Sequence, residues 1–329
     1  MNKNTGCYFF LVLILNIIIT KNIQAGWNEF WYRKIITNNF SCSGDLTNFP
    51  LLVVISNDAS LSAKASNNGH DIAFTGYDGT TRLAHEIEYY DAGTLVAWVR
   101  IPLFSAAVQS SNIIYMYYCK DGSGNQQDTQ AVWSEKYLTV QHFEETSGTL
   151  ISDSSSNGYN GTAAGVKTLN TNTVIGSGAA LNNGSDGFSL ATGVFNPSAG
   201  TWSIWYYTDY TAEGTAVRIF NANHSSGSDW EHRDYKSGGN MTRRFYYGND
   251  AYISTSFSLS GWDNKWNQIC YTWEYSGGTT TVNVFTNGIL TSTYSSANLL
   301  INADLNWELG HWQSVSPACV MDEFNTASA

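Results

Sequence analysis

Short runs of β-branched and aromatic residues, separated by turns rich in glycine and asparagine, constrain this chain more than any other feature of its sequence. Each run has the length of a β-strand, about four to eight residues, and stretches with helical periodicity are nearly absent. Asn287-Gly288 lies between two such runs and predicts a hairpin, because both central residues of a type I′ turn need positive φ. The clearest runs are residues 51–56, 94–101, 112–118, 201–207, 268–273 and 281–286. The pattern predicts an all-β protein built from sandwiches or barrels.

The chain has few charges and many aromatic rings. Charged residues make up 13% of its 329 residues, against roughly 25% in an average soluble domain, and aromatic residues make up 14%. Disordered chains show the opposite composition, so disorder is excluded. Asp and Glu (27) outnumber Lys and Arg (16), which gives a formal net charge of −11. An acidic chain repels phosphates, so nucleic acid is excluded as a partner.

The N-terminus has the three parts of a secretory signal peptide. Lys3 supplies the positive charge, residues 7–20 form an almost purely apolar run, and a small residue, Ala25, ends the segment. The run is shorter than the roughly 20 residues that span a bilayer, and no second apolar run of that length follows. We therefore predict a signal peptide at residues 1–25 that is cleaved on export, with an uncleaved anchor as the alternative. The mature chain, without a membrane span, is predicted to be secreted, extracellular or at the cell surface.

A polar segment at residues 121–130 (DGSGNQQDTQ) separates two halves of the chain. It contains glycine and lacks periodicity, as a linker does. We predict a β-sandwich domain of unknown function at residues 26–120, a linker at 121–135 and a second sandwich at 136–329.

Motifs for the common catalytic chemistries are absent from the sequence. There is no H-E-x-x-H zinc motif, no G-x-S-x-G nucleophile elbow and no glycine-rich phosphate loop. Glu86 and Glu88 are spaced to share one face of a strand, where a carboxylate pair could hydrolyse a glycosidic bond. A solvated strand face, or salt bridges to Arg82 or Arg100, explains this pair more simply. We therefore assign no catalytic residue.

Residues 229–247 (DWEHRDYKSGGNMTRRFYY) combine aromatic and basic side chains around a glycine pair. Ligand sites pair aromatic surfaces with a few hydrogen-bonding groups, and sugars offer an apolar face and hydroxyls to match. The candidate carbohydrate-binding residues are Trp230, His232, Arg233, Tyr235 and Arg243. A position in the core is the alternative for Trp230. Four other tryptophans are expected to fill the core: Trp202, Trp205, Trp266 and Trp273.

Several blocks of the first half occur in an informative order. They are WYRKIIT, SGDLTNFPLLVVIS, NNGHDIAFTGYDGTTRLAHEIEYYDAGTLVAWVRIP and IIYMYYC. With these blocks, residues 31–120 resemble domain of unknown function 2341, which occurs in exported bacterial and archaeal proteins and has no established activity. The sequence departs from that family at Cys119, where glycine usually follows the YY pair.

The second half has its own ordered blocks. They are VQHFEE, DSSSNGYNGT, GAAL, WSIWY, KWNQICYTW, VFTNGIL and VMDEF. With them, residues 130–329 resemble the laminin-G-like (LamG-like) branch of the concanavalin A-like lectin/glucanase fold, which implies a jelly roll of two curved antiparallel sheets. The predicted fold class is thus all-β, with two β-sandwich (jelly-roll) domains after a cleaved signal peptide.

Relatives of the lectin-like fold often bind a structural calcium ion. Ca²⁺ takes six to eight oxygen ligands, and Asp153, Asn157 and Asn160 supply such oxygens from one loop. The first and last strands of a jelly roll can lie side by side, so Asp322 of VMDEF is expected to complete a site for Ca²⁺. The alternative is an Asx-rich turn whose side chains bond their own backbone.

Four cysteines follow the predicted signal peptide: Cys42, Cys119, Cys270 and Cys319. Their spacings fit no zinc site, and an even number in an exported protein favours disulfides. The departure from the family at Cys119 makes this residue an attractive partner for Cys42. We predict Cys42–Cys119 and Cys270–Cys319, one disulfide in each domain, because each pair closes a long loop and links strands far apart in sequence. The alternative is four buried thiols.

These features predict a secreted or cell-surface recognition or adhesion protein. Its lectin-like domain is expected to bind carbohydrate, as polysaccharide or as the glycans of a glycoprotein, without catalysis. Two alternatives remain open: a divergent glycoside hydrolase or lyase of the glucanase fold, and a structural surface or matrix module that binds protein.

Overall fold

The structure is a computed structural model that describes residues 17–19, 30–37, 42–108, 112–120, 122, 124–165, 167–181, 186–196, 198–209, 216–223, 230–247, 252–297, 306–310 and 319–328. The chain divides into two compact units, a first unit at Phe10–Ser134 and a second unit that includes Glu135–Ala329. Both are built almost wholly from antiparallel strands, which confirms the predicted all-β sandwich fold. No helix in the described part of the chain has the length and hydropathy of a membrane span.

The first unit packs a five-stranded sheet against a three-stranded sheet. Its strands are β1 (Ile17–Ile19), β2 (Phe30–Ile36), β3 (Leu46–Ile55), β4 (Ala73–Thr75), β5 (Arg82–Leu83), β6 (His85–Asp91), β7 (Thr94–Phe104) and β8 (Ile114–Lys120), and its helices are α1 (Ala59–Lys64) and α2 (Thr129–Val132). The strand orders are β1-β2-β8-β4-β5 and β3-β7-β6. Both sheets contribute to one core, for example through Val53, Phe74, Ala97 and Met116. The predicted signal peptide lies outside the described residues, except for β1.

The turn between β6 and β7 fits closely against the start of α1. Ala92 and Gly93 both have positive φ, 43° and 88°, as a type I′ turn requires. A Cβ atom on Gly93 would lie 2.3 Å from the carbonyl oxygen of Asp58. The Asp58 carboxylate caps α1 by accepting the Leu61 N–H at 2.7 Å, and it pairs with Lys34 at 2.6 Å. Glycine is therefore needed at position 93 for both its conformation and its size.

The segment predicted as a linker is bonded to the first unit. The backbone N–H of Asp128 donates to the carbonyl of His85 at 3.0 Å. The Gln127 side chain accepts the N–H of Ile87 at 2.6 Å. These bonds give polar backbone groups of the segment and of β6 their hydrogen-bond partners. Helix α2 begins at the next residue, Thr129.

The second unit is a sandwich of two eight-stranded sheets. Its strands are β9 (Tyr137–Gln141), β10 (Leu150–Ile151), β11 (Gly161–Ala164), β12 (Lys167–Asn172), β13 (Ser177–Leu181), β14 (Gly187–Ser189), β15 (Ala199–Thr208), β16 (Ala216–Asn223), β17 (Trp230–Ser237), β18 (Asn240–Tyr247), β19 (Tyr252–Ser258), β20 (Lys265–Ser276), β21 (Thr279–Thr286), β22 (Ile289–Ser296), β23 (Asn306–Leu309) and β24 (Cys319–Ser328). Sheet A has the order β10-β11-β14-β23-β16-β17-β18-β19. Sheet B has the order β12-β13-β24-β15-β20-β21-β22, and β9 also pairs with β24.

Aromatic residues dominate the core between sheets A and B. Trp202 stacks on Tyr271 with ring centroids 4.8 Å apart and 12° between the planes. Of the four tryptophans expected in the core, Trp202 and Trp273 are buried there. Trp205 and Trp266 are only half-buried, so the expectation fails for these two.

The first and last strands of the second unit lie side by side, as the jelly-roll resemblance implied. β9 pairs antiparallel with β24, with Gln141 opposite Phe324 and Val140 opposite Asn325. The pairing joins the two ends of the unit in one sheet.

The hairpin predicted at Asn287-Gly288 is present. Both residues have positive φ, 45° and 84°, and they join β21 to β22. The two-residue turn therefore has the backbone signs of type I′.

The predicted Cys270–Cys319 disulfide is wrong. Cys270 is opposite Ser203 of β15 and Cys319 is opposite Thr208 of the same strand, on its other side. Two strand spacings and five residues along the strand separate the cysteines by roughly 20 Å, whereas a disulfide needs Cα atoms within about 7 Å. Cys319 is a thiol, and Cys270 is disulfide-bonded to none of the other described cysteines.

The predicted Cys42–Cys119 disulfide is also absent. Both side chains pack against the core of the first unit in the reduced form. Cys119 has a φ of 64°, in the left-handed region that favours glycine, and its N–H donates to the Asp71 carboxylate at 2.9 Å. This conformation explains why glycine suits position 119.

Cys319 is expected to resist alkylation in the folded chain. Burial raises the pKa of its thiol to about 12, and only the thiolate reacts. Iodoacetamide at pH 8 should leave Cys319 unmodified in native buffer and modify it in guanidinium chloride, as measured by peptide mass spectrometry. The half-buried Cys42 is the internal comparison and should react first. Rapid labelling of native Cys319 would contradict its placement.

Candidate functional site

The aromatic and basic stretch singled out in the sequence forms the hairpin β17–β18 of sheet A. A Gly238-Gly239 turn with φ of 59° and 77° joins the two strands. Successive side chains of a strand point to opposite faces of its sheet. Trp230, His232 and Asp234 accordingly point into the sandwich, and the residues between them point outward.

The inward-facing residues build a buried polar network between the sheets. Arg243 of β18 is fully buried and donates from two nitrogens to the two oxygens of Asp234, at 3.0 Å each. His232 Nε2 lies 2.8 Å from the same carboxylate, and Tyr206 of sheet B donates to it at 2.8 Å. The His232 Nδ1 atom lies 2.9 Å from the hydroxyl of Tyr271. The network therefore links sheet A to sheet B through the core.

In this network Asp234 and Arg243 form a charged pair, whereas His232 is neutral. Burial opposes ionisation of Asp234, but the adjacent Arg243 guanidinium outweighs burial and holds the pKa of that carboxyl well below its usual range. Burial lowers the pKa of His232, so its ring is neutral at pH 7. The neutral ring donates from Nε2 to Asp234 and accepts the Tyr271 hydroxyl at Nδ1.

Three of the predicted carbohydrate-binding residues are therefore wrong as surface contacts. Trp230 is 2% exposed, and His232 and Arg243 are fully buried. Their side chains point toward the core, since alternate residues of a strand face opposite sides of its sheet. The charge of the buried Arg243 is paired with that of Asp234. The core position considered for Trp230 is the one it takes. Arg233 and Tyr235 are on the outer face of sheet A.

Two rows of side chains cross the outer face of sheet A. In the first row Arg218, Arg233 and Arg244 are directly opposite one another on β16, β17 and β18. In the second row Glu231, Tyr246 and Tyr252 are opposite one another on β17, β18 and β19. We term these residues, with Tyr235, the outer patch: Arg218, Glu231, Arg233, Tyr235, Arg244, Tyr246 and Tyr252.

Tyrosine rings fix the Arg244 guanidinium in the middle of the outer patch. Its central carbon lies 4.5 Å from the ring centroid of Tyr235 and 4.4 Å from that of Tyr252. Its Nη1 atom donates to the hydroxyl of Tyr246 at 3.2 Å. Arg233 also lies over the ring of Tyr246, at 5.1 Å from its centroid. Each of these cation–π contacts favours one orientation of the side chains involved.

A single carboxylate serves two arginines of the outer patch. Glu231 accepts from Arg218 Nη2 at 2.8 Å and from Arg233 Nε at 2.5 Å. Among the residues that the structure describes, no carboxylate forms an ion pair with Arg244. The patch therefore has more positive than negative charge around Arg244.

The accessible part of the outer patch is centred on its tyrosines. Tyr252 is 46% exposed and the Arg233 side chain is 29% exposed. Tyr235, Arg244 and Tyr246 are half-buried. A ligand lying across β17, β18 and β19 can therefore contact aromatic rings and guanidinium groups together.

The loop predicted to bind calcium is a self-bonded turn. Asp153 Oδ1 accepts the N–H groups of Val140 and Ser155 at 2.8 and 2.9 Å. Its Oδ2 accepts the Ser155 hydroxyl at 2.8 Å and the Tyr159 N–H at 2.7 Å. A carboxylate has about four lone-pair sites, and four donors occupy those of Asp153. This is the Asx-rich turn that the sequence left open as the alternative.

The other three predicted calcium ligands form hydrogen bonds with backbone groups of the protein. Asn160 accepts the N–H of Asp153 at 2.8 Å, and the Asn157 amide donates to two carbonyls of β9. Asp322 is fully buried and accepts the N–H of Ile175 at 3.1 Å. Burial, with the Glu323 carboxylate beside it, raises the pKa of Asp322 well above its usual range.

Strand register separates Asp322 from the Asp153 loop. The loop is bonded to Val140, which is opposite Asn325, and Asp322 lies three residues further along β24. Three residues of a strand span roughly 10 Å, whereas calcium ligands lie 2.3–2.6 Å from the ion. As a set the four residues do not fit one calcium ion, and calcium binding itself stays a prediction.

The paired glutamates of the first unit anchor tryptophans. Trp133 Nε1 donates to Glu86 at 2.8 Å, and Trp98 Nε1 donates to Glu88 at 2.9 Å. The two indole rings have centroids 5.4 Å apart. The carboxylates therefore help to hold a tryptophan pair.

The candidates chosen from the sequence left out five residues of the outer patch: Arg218, Glu231, Arg244, Tyr246 and Tyr252. Arg244 and Tyr246 alternate with the buried Arg243 and Phe245 along β18, so the period of two could have assigned them to the outer face. Tyr252 is on β19, and only the strand order of sheet A brings it beside Tyr246.

A known family matches part of the chain. Residues 68–157 match the domain of unknown function DUF2341. This supports the resemblance found in the first half and extends it into the start of the second unit. A search of curated protein sequences gives no significant match.

Comparison with solved structures gives similarity to receptor-binding domains of botulinum neurotoxins. The serotype D binding domain is 16% identical with a TM-score of 0.46, and the type G receptor binding domain is 13% identical with a TM-score of 0.45. A structure from work on type C, whose cell entry depends on two ganglioside molecules, is 14% identical with a TM-score of 0.45. Each match covers 59% of this chain and 48% of the other, so the similarity spans about half the length of those domains.

Proposed function

We propose that this chain is an exported recognition or adhesion protein that binds extracellular carbohydrate through the outer patch of its second unit. The glycan would belong to a polysaccharide or to a glycoprotein. The observation on which this rests is that the half-buried Tyr235 and Tyr246 and the exposed Tyr252 surround Arg244 on the outer face of sheet A. Export is proposed from the signal-peptide pattern of residues 1–25.

The chemistry of the outer patch matches that of a sugar. A pyranose ring has an apolar face of C–H groups, which stacks on an aromatic ring, and hydroxyls at its edge, which need donors and acceptors. Tyr252 offers such a ring, and it lies 5.2 Å from the Tyr246 ring, centroid to centroid. Arg233 and Arg244 bring guanidinium donors to the same surface. Binding sites commonly combine aromatic surfaces with a few fixed polar groups in this way.

The outer patch is also held in place before a ligand arrives. Its residues lie on four hydrogen-bonded strands, and the buried network of Asp234 and Arg243 lies directly beneath β17 and β18. The stacking of Arg244 between two tyrosine rings restricts its rotamers. Side chains that are already ordered lose less entropy on binding.

The placement of Glu231 supports binding without catalysis. A glycosidase needs a carboxylic acid that protonates the leaving oxygen and a second carboxylate opposite it. Both Glu231 oxygens accept from arginines, so this residue is bound to guanidinium groups and is not poised to donate a proton. A recognition role is therefore proposed in preference to glycoside hydrolysis.

Replacing Tyr252 with alanine is expected to weaken glycan binding about tenfold, equivalent to about 1.4 kcal/mol. The change removes the most exposed ring of the outer patch and leaves the sandwich core intact. A glycan array, followed by calorimetry with the best ligand, measures the effect on the full chain.

Tyr275 provides a matched control for this experiment. It is 43% exposed, similar to Tyr252 at 46%, but it lies on β20 of sheet B. The Tyr275→Ala variant should bind glycan as the wild type does. If Tyr252→Ala binds glycan as tightly as Tyr275→Ala and the wild type, the outer patch is excluded as the site.

A further inference from the structure

Three arginines in one cross-strand row are an unusual concentration of charge for this chain. Only 16 of its 329 residues are Lys or Arg, and its net charge is −11. Arg218, Arg233 and Arg244 are nevertheless directly opposite one another on adjacent strands. Side chains in such positions have Cβ atoms about 4.5–5.5 Å apart, and like charges there destabilise the sheet.

The outer patch compensates this repulsion incompletely. Glu231 pairs with Arg218 and Arg233, and the Glu308 carboxylate also acts on Arg218, so the negative charge lies at one end of the row. Arg244 is stacked between Tyr235 and Tyr252 instead, and no ion pair with it is formed within the described ranges. Aromatic rings favour a nearby cation but add no negative charge. The row therefore retains positive charge next to its most exposed tyrosine.

The geometry of Arg244 suits an oxyanion. Its Nη1 atom is bonded to the Tyr246 hydroxyl, whereas its Nη2 atom forms no hydrogen bond to any described residue. A planar guanidinium recognises carboxylate and sulfate groups through parallel N–H···O bonds. Arg233, directly opposite on β17, supplies a second guanidinium at the same level of the sheet.

We infer that the carbohydrate bound by the outer patch is an acidic polysaccharide, whose carboxylate or sulfate group pairs with Arg244 and Arg233 while a sugar ring stacks on Tyr252. This inference rests on the proposed function and specifies its ligand. The shared chemistry is an oxyanion on a sugar ring, so a uronic acid and a sulfate ester are its two possible sources.

Two polymer pairs test the inference on the full chain. Polygalacturonate is compared with its fully methyl-esterified form, and dextran sulfate is compared with dextran, so that each pair differs mainly in its anionic groups. Affinity electrophoresis and calorimetry at low salt should show at least tenfold tighter binding to one or both acidic polymers than to the neutral partner. Binding to one acidic polymer alone identifies the carboxylate or the sulfate as the recognised group. Added salt should weaken the interaction, because exposed charges are screened.

Variants separate a specific site from general attraction to a polyanion. Arg244→Gln should lower the affinity for the acidic polymer at least tenfold, and Arg244→Lys should restore part of it because the charge returns without the planar fork. Arg33→Gln is the matched control, since Arg33 also stacks on a tyrosine, at 4.6 Å from the ring of Tyr115, but belongs to the first unit. It should leave the affinity unchanged, and melting curves verify that each variant is folded.

Three results would overturn the inference, and each leads to a different conclusion. Equal binding of acidic and neutral polymers, weakened by Tyr252→Ala, would keep carbohydrate recognition and reject the anionic ligand. Binding of none of the four polymers, with no glycan found on the array, would reject both. An unchanged affinity in Arg244→Gln and Arg233→Gln would likewise exclude the arginine row as the anion site.

Discussion

Replacing Arg243 with methionine is expected to destabilise the second unit by about 3–5 kcal/mol. The change removes the guanidinium that pairs with Asp234 and leaves a carboxylate buried between two sheets without its counter-charge. Methionine keeps much of the length of the side chain, which lies over the ring of Trp262, so lost packing contributes less. Urea unfolding followed by circular dichroism measures the effect. The melting temperature should fall by roughly 6–20 °C.

Two further variants test whether the buried charge is the cause. Arg233→Met removes an ion pair that is partly exposed on the neighbouring strand, and it should cost no more than about 1 kcal/mol. The double variant Arg243→Met, Asp234→Leu removes both charges and should be more stable than Arg243→Met alone, because no unpaired carboxylate remains. If the double variant is the less stable of the two, the destabilisation comes from packing and the charge argument fails.

Acidification is expected to weaken the first unit through His85. Its buried ring lies edge-on to Phe74 with centroids 5.1 Å apart, and burial, with the charge of Arg82, lowers its pKa to about 4. An unfolded histidine has a pKa near 6.5. Between these two pKa values the unfolded chain binds a proton that the folded chain does not. Stability from this group is therefore complete above pH 6.5, and lowering the pH from 7 to 4.5 should cost about 2–3 kcal/mol.

The stability of the first unit is followed separately from that of the second by hydrogen exchange of peptides from β7, measured along a urea titration. Urea titrations at pH 7 and pH 4.5 should show the loss in wild type and a much smaller loss in His85→Gln, which has no titrating ring. His70→Gln, a change to another histidine of the same unit, should keep the wild-type pH dependence. The same loss in wild type and His85→Gln would show that other groups cause it.

Local patterns in the sequence predicted much of the fold. The Asn287-Gly288 turn and the β-strand runs depend on neighbouring residues only, and the structure confirms them. Which strands become neighbours depends on the whole chain. For this reason the pairing of Cys270 with Cys319 was wrong: the two residues face opposite sides of β15 and are five residues out of register.

Only part of the candidate site could be predicted, again because the order of strands depends on the whole chain. Strand alternation alone could have separated the outward Arg233 and Tyr235 from the inward His232. The ion-pair partner of the buried Arg243 is also close in sequence, since Asp234 is opposite it in the β17–β18 hairpin. The position of Tyr252 beside this hairpin required the order of strands in sheet A.

The position of β24 in the interior of sheet B has a consequence for synthesis on the ribosome. β24 follows every other strand of sheet B in the sequence, yet it lies inside that sheet, between β13 and β15. Until it emerges, the sheet remains in separate parts with open edges, and such edges favour aggregation. Contacts between residues this far apart in sequence also form slowly, because a long loop must close first. The nascent second unit therefore depends on its last strand to complete the fold, and translation that stops before β24 should leave a chain that chaperones retain.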